Sequence, residues 1–244
     1  MKNRFVTRLV SIAALATLAF SAQAASDTVN GASFSNGSTT YTKTFADGLV
    51  ATFTAGQRTF EKKTQASLTG VGIAGGRTGG EIDIGETITG SFSKGVTVSA
   101  ITLGLLFDGP EYSDVNEVAQ ITANYVGGGS GIFTLTATGA HTAIWSLATS
   151  GVTSLGNGAV DNGTGAWTVS NPFGSHVISS LVFTAANGSK PASCHSCSNQ
   201  SDYTFIDLTA SPVTAVPEPE TYAMLLAGLG LMGAIARRRK SNAA

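Results

Sequence analysis

Between residues 26 and 215 no stretch repeats its apolar side chains every 3.6 residues, whereas two-residue alternation recurs throughout. Alternation is the signature of a strand with one face in a core, so it restricts this chain to a β-fold. Tyr41-Thr-Lys-Thr-Phe45 alternates cleanly, Asp47-Gly48 supplies a hairpin turn, and Leu49-Val-Ala-Thr-Phe53 continues as the return strand. Thr87–Phe92 predicts another strand. Lys94-Gly95 punctuates it, and a long run then extends from Val96 to Phe107. Asp108-Gly109-Pro110 ends that run, because proline has no N–H to give a ladder. Further strands are expected at Ala119–Tyr125, Ile132–Thr138, Ala143–Leu147, Ala166–Val169, Val177–Thr184 and Tyr203–Thr209. Glu111 to Gln120 is the nearest approach to a helical pattern. About ten short strands imply an all-β, antiparallel two-sheet sandwich of jelly-roll-like type. The glycine-rich stretches Gly127–Gly131 and Gly156–Gly165 read as exposed loops rather than domain linkers.

The two ends are of another kind. Lys2, Arg4 and Arg8 precede an apolar run from Leu9 to Phe20, and Ala22-Gln23-Ala24 follows with small residues at the positions a signal peptidase reads. Residues 1–24 are therefore expected to be a signal peptide cut after Ala24. At the other end, Val216-Pro217-Glu218-Pro219 leads into an apolar run from Tyr222 to Ala236 and then Arg237-Arg238-Arg239-Lys240. As a helix that run reaches only about 22 Å, whereas a bilayer core asks for ~20 residues. The basic cluster is a membrane stop that holds to the cytoplasmic side, which places everything before it across the membrane. One exported domain, residues 25–215, remains between the two addresses, with residues 216–240 as the tail.

The tail closely resembles the PEP-CTERM sorting tail of Gram-negative bacteria. The likeness covers about the last 30 residues, and three elements carry it in order: Pro217-Glu218-Pro219, the short apolar segment and the basic stop Arg237–Lys240. The resemblance implies an integral-membrane exosortase that recognises the Pro-Glu-Pro and cuts nearby. The inner membrane is then a station in transit, and the cell envelope or extracellular matrix the destination.

Once the addresses are set aside, the exported region holds seven basic and thirteen acidic residues, a net charge of −6. An acidic domain without a basic stripe excludes nucleic acid as a partner, since that binding rests on Lys and Arg against phosphates. Gly70-Val-Gly72-Ile-Ala-Gly75 spells a dinucleotide fingerprint but opens no helix, so it reads as a glycine-rich β-edge or loop. Cys194 and Cys197, the only cysteines, are expected to form a disulfide in an exported chain, with metal or redox use as the rivals. Seven of the thirteen acids lie within residues 81–117. A solvated acidic rim is the expectation there; the rival is a structural Ca²⁺ ion on Asp108, Glu111, Asp114, Glu81 and Asp83. Trp145, Trp167, Tyr112, Tyr125 and Tyr203 are candidates for a sugar-stacking platform; Trp145 and Trp167 read equally as core, since their neighbours Ile144 and Ala166 do not decide the face, and His141 and His176 read as surface or loop residues.

No nucleophile–base arrangement is legible, so catalytic residues are expected to be none. The chain reads as a non-enzymatic exported surface or matrix protein, sorted by an exosortase and linked to exopolysaccharide. The alternative is a carbohydrate-binding or Ca²⁺-dependent β-sandwich module, and an exported hydrolase is the remotest reading.

Overall fold

The structure is a computed structural model that describes residues 25–158, 163–192, 194–213 and 219–241. The expected signal peptide and its cleavage point lie outside the described residues, as do Pro217 and Glu218. Ala24–Val213 forms one compact unit, and the C-terminal helix belongs to another.

Thirteen strands build the first unit: β1 (Asp27–Asn30), β2 (Thr40–Thr44), β3 (Val50–Ala55), β4 (Phe60–Gln65), β5 (Leu68–Ile73), β6 (Ile88–Gly104), β7 (Asn116–Tyr125), β8 (Ser130–Gly139), β9 (Thr142–Trp145), β10 (Gly151–Ser154), β11 (Trp167–Ser170), β12 (Ile178–Ser189) and β13 (Thr204–Pro212). Every ladder between them is antiparallel. The architecture is all-β and sandwich-like, as the alternation requires.

The 17-residue strand β6 takes part in both layers. Its first part, Ile88–Phe92, lies between β3 and β12, in the layer that continues through β7 and β8 to β9. Its second part, from Val96 onward, lies between β13 and β11, with β10 beyond β11 and β1, β5 and β4 beyond β13. The β12 ladder registers the change of layer: Val96 faces Ile178 while Ser91 faces Ser180, so β6 bulges between them. A second irregularity sets Thr209 against Ala100 but Ala210 against Val98. Ser99 is the extra residue, and past it burial passes from Val96 and Val98 to Ile101 and Leu103.

This continuity corrects the sequence reading, which placed punctuation at Lys94-Gly95. Gly95 sits inside the strand because a Cβ there would lie 2.7 Å from Val177 Cγ1 and 2.9 Å from Val126 Cγ2. The glycine serves close approach, not a turn. The Glu111–Gln120 segment is likewise not a helix: Glu111–Ser113 makes one 3₁₀ turn and β7 follows. Strands β1, β4, β5 and β10 were not anticipated. Gly70 and Gly72 lie in β5, and a Cβ on Gly72 would come within 2.3 Å of the Glu81 backbone. Gly72 therefore packs against backbone, while Gly70 makes room for the Thr204 side chain, whose Oγ1 a Cβ there would approach to 2.4 Å.

The core between the layers is aromatic. Phe205 of β13 meets Phe53 of β3 and Phe183 of β12 with ring centroids 5.5 and 5.2 Å apart, and Phe34 lies 5.5 Å from Phe53 and 4.9 Å from Phe60. All five rings are buried. Truncating Phe205, where both layers meet, removes contacts to each. Phe205→Ala is expected to lower stability by about 3–5 kcal/mol in urea unfolding, against less than about 0.5 kcal/mol for Ile132→Ala on an exposed face. Equal midpoints for the two variants would contradict this core.

Candidate functional site

Two buried carboxylates meet where β5 and β13 are tied at one end. Ile73 N–H donates to the Glu81 carbonyl at 2.8 Å, and Ile82 N–H donates to the Tyr203 carbonyl at 2.7 Å. These bonds bring Glu81 beside Asp202, 121 positions later in the chain. Strand β7 adds Glu117, and the loop before it adds Asp114. The four carboxyls line a cavity of about 250 Å³ together with Lys63 and Tyr112. None is more than 6 % exposed, so each needs partners to remain in the interior.

Each carboxyl is held differently. Lys63 Nζ lies 3.1 Å from Glu81 Oε1. Asp202 Oδ2 accepts from Thr78 Oγ1 at 2.9 Å. The Phe107 backbone N–H donates to Glu117 Oε2. Asp114 is the best satisfied: Oδ1 accepts from the Val115 and Gln200 backbone N–H groups at 2.7 and 2.9 Å, and Oδ2 from Ser198 Oγ at 3.2 Å.

Burial, reinforced by the neighbouring Asp202, pushes the Glu81 carboxyl up to about 9. Burial likewise raises Glu117 well above the usual carboxylate range, and raises Asp202. Glu81 and Asp202 share a hydrogen bond that lifts the former and lowers the latter, so Glu81 holds the proton and donates it to Asp202. The arrangement retains a proton at neutral pH among the carboxyls of the cavity.

The structure brings together only part of the expected acidic set. Glu81 and Asp114 line the cavity, while Asp83 turns to an adjoining cleft. Asp108 lines neither, its Oδ1 atom lacks a hydrogen-bond partner, and burial raises its pKa. The Glu111 side chain lies outside the described residues. Among the described residues no group of three or more His, Cys, Asp or Glu is arranged to hold a metal ion. Glu81, Asp114 and Glu117 are interior residues and not a solvated rim.

The stacking platform also fails. Trp145, Trp167 and Tyr203 are core residues, and the indole N–H groups donate to the Pro172 and Leu106 carbonyls, each at 2.9 Å. Tyr125 stacks on His176 with centroids 4.2 Å apart, and Tyr112, about half exposed, packs edge-on against Phe107 with centroids 5.2 Å apart. His141 is exposed, as expected.

The Cys194 and Cys197 sulfurs are bonded, with Cα atoms 5.5 Å apart. The bridge pins a loop that delivers Gln200 and Asp202 to the cavity; Ser198 N–H in that loop donates to the Ser113 carbonyl at 3.1 Å.

In the second unit, helix α1 runs from Pro219 to Ser241. Proline suits a first helical position, where its missing N–H costs no bond. Arg238 of the basic stop lies in the helix and is exposed. Among the described residues no helix is long and apolar enough to cross a membrane, in keeping with the short apolar run. A family model described as the PEP-CTERM protein-sorting motif matches residues 215–240. The chain carries a PEP-CTERM sorting motif. No curated protein and no solved structure matches it. The motif implies processing by an exosortase and sorting to the envelope or beyond.

Two measurements check this description. Folded Glu81 binds its proton up to about 9 while the unfolded side chain releases it near 4.5, so the stability from that proton is complete below pH 4.5 and drains away as pH climbs through 9. The melting temperature is expected to fall between pH 5 and pH 9, and Glu81→Gln, which needs no proton, to flatten the fall. An unchanged slope in that variant would place the proton elsewhere. Alkylation of the unreduced protein should label neither Cys194 nor Cys197, and labelling of both would remove the bridge.

Proposed function

We propose that this protein is a non-enzymatic component of the bacterial cell surface or extracellular matrix, exported through the inner membrane, anchored there briefly by its tail and delivered by an exosortase. The PEP-CTERM motif at residues 215–240, set directly after a complete all-β domain, carries the reading. The mature region then functions as a folded module outside the cytoplasm, in association with exopolysaccharide. Several features support this assignment. The net charge of −6 over residues 25–215 suits a soluble surface domain and repels nucleic acid. The disulfide belongs to an oxidising compartment. The acidic cavity holds its carboxyls in fixed hydrogen bonds and a shared proton, which suits a structural role.

Cell fractionation tests the reading. Wild-type protein is expected outside the inner membrane with its tail shortened, whereas Glu218→Ala should accumulate in the membrane fraction at the length of the uncut precursor. Equal release of both forms would refute exosortase sorting through this motif.

A further inference from the structure

The bonds that hold the four carboxyls of the acidic cavity leave one oxygen over. Asp114 is saturated by backbone N–H groups and Ser198, and Glu81 and Asp202 hold one another. Glu117, only 4 % exposed, is fixed through Oε2 alone, and no described residue donates to its Oε1 atom. The described side-chain atoms that are both unpartnered and sealed from water belong to Asp83, Asp108, Thr164 and Tyr203. Glu117 Oε1 is not among them, so it opens on the cavity that Glu117 lines. An interior carboxyl oxygen that can be reached and has no donor is a place for a donor from outside.

The charge around that oxygen decides the kind of donor. Four carboxyls share the cavity with one basic group, Lys63, whose ammonium already lies 3.1 Å from Glu81 Oε1. Burial first, and then Asp202, Glu81 and Asp114, hold the Glu117 pKa up, so a positive charge at Oε1 would relieve the second cause. The proton that Glu81 retains reflects the same shortage of positive charge. A Ca²⁺ ion asks for about 6–8 oxygens at roughly 2.3–2.6 Å. Among the described residues no three acidic side chains stand close enough to begin such a shell. A primary ammonium asks for less, since its N–H groups need only a few acceptors at ordinary hydrogen-bond distance.

Size and wall decide what carries the ammonium. At about 250 Å³ the cavity is smaller than the roughly 300–1,000 Å³ of drug-sized sites, so it admits one compact unit. The rest of the wall is uncharged: Thr78 and Gln200 offer polar atoms, and Tyr112 brings a half-exposed ring packed on Phe107. Such a wall suits a body with hydroxyls on its edge and C–H groups on its face, which describes a sugar ring. We propose that this cavity binds a cationic amino-sugar unit of a polysaccharide, its primary ammonium donating to Glu117 Oε1 and its ring lying against Tyr112. The assignment rests on the polysaccharide association proposed above and names its chemical class. The net charge of −6 over residues 25–215 would draw a polymer of that sign.

The test is isothermal titration calorimetry of the exported protein near neutral pH, with D-glucosamine, N-acetyl-D-glucosamine and ethanolamine as probes. Glucosamine is expected to bind. Its N-acetyl form, which keeps the ring and loses the charge, should bind about tenfold more weakly, the effect of one charged hydrogen bond. Ethanolamine, an amine without the ring, should also bind more weakly. Glu117→Gln, which keeps an oxygen for the Phe107 N–H group, should cost glucosamine about tenfold. Lys63→Gln removes the resident positive charge and should tighten binding, a change of sign that a merely structural role does not produce. Lys94→Ala, exposed outside the cavity, should bind as wild type. No binding of glucosamine, or equal binding of its N-acetyl form, overturns the ammonium site and leaves the sorting result untouched. Ethanolamine binding as tightly as glucosamine overturns the sugar as occupant. Binding that survives Glu117→Gln, that weakens in Lys63→Gln, or that millimolar CaCl₂ abolishes overturns this assignment of the cavity.

Discussion

Strand β6 hydrogen-bonds to β3, β12, β13 and β11, and almost every other element reaches the core through one of those four. A strand that leaves one layer and enters the other joins the two sheets through one continuous backbone. The bulge opposite Ser180 and the extra residue at Ser99 let one chain serve two core faces without breaking its ladders. The aromatic contacts of Phe205 then depend on that geometry, because β13 is positioned by the second part of β6 and Phe53 and Phe183 by strands flanking the first. Gly95, with valine side chains pressed against it, marks where this join tolerates no added atom.

The acidic residues illustrate how tertiary structure alters the meaning of charge. On the sequence, Glu81, Asp114 and Glu117 are three acids in a polar region; in the fold they border a cavity with Asp202. Bringing carboxyls out of water is unfavourable, and the structure offsets it with backbone N–H donors, one lysine and a retained proton. This combination keeps the four carboxyls in the interior. It also separates the cavity from the neighbouring cleft, where Asp83 keeps an oxygen without a donor.

Much of the fold was legible because its turns use the residues that turns demand. Asp47-Gly48 announces the β2–β3 hairpin: Gly48 takes φ +79°, and Asp47 Oδ1 accepts from Leu49 N–H at 3.1 Å. The β4–β5 hairpin was illegible for the converse reason. It turns on Ala66 and Ser67, with φ +47° and +68°, a left-handed pair that neither residue advertises. The Trp side chains could not be assigned to a face from their neighbours, whereas the structure buries both. Asp202 was missed because the carboxylates it meets are 85 or more positions away, and the β5–β13 ties bring Glu81 to it. The sorting tail was fully legible, since such an address is read as a linear string.

Strand β13 pairs with β6, β5 and β1, so it lies in the middle of its layer, yet Pro212 ends it only five residues before Pro217. The piece synthesised last is therefore the one that the interior lacks until the end. A chain threading outward from its N-terminus cannot close Phe205 onto Phe53 and Phe183 while β13 is still on the near side. Such a domain can close its core only once its final strand is in place. The strand that completes the core also ends directly before the sorting motif, which begins at residue 215.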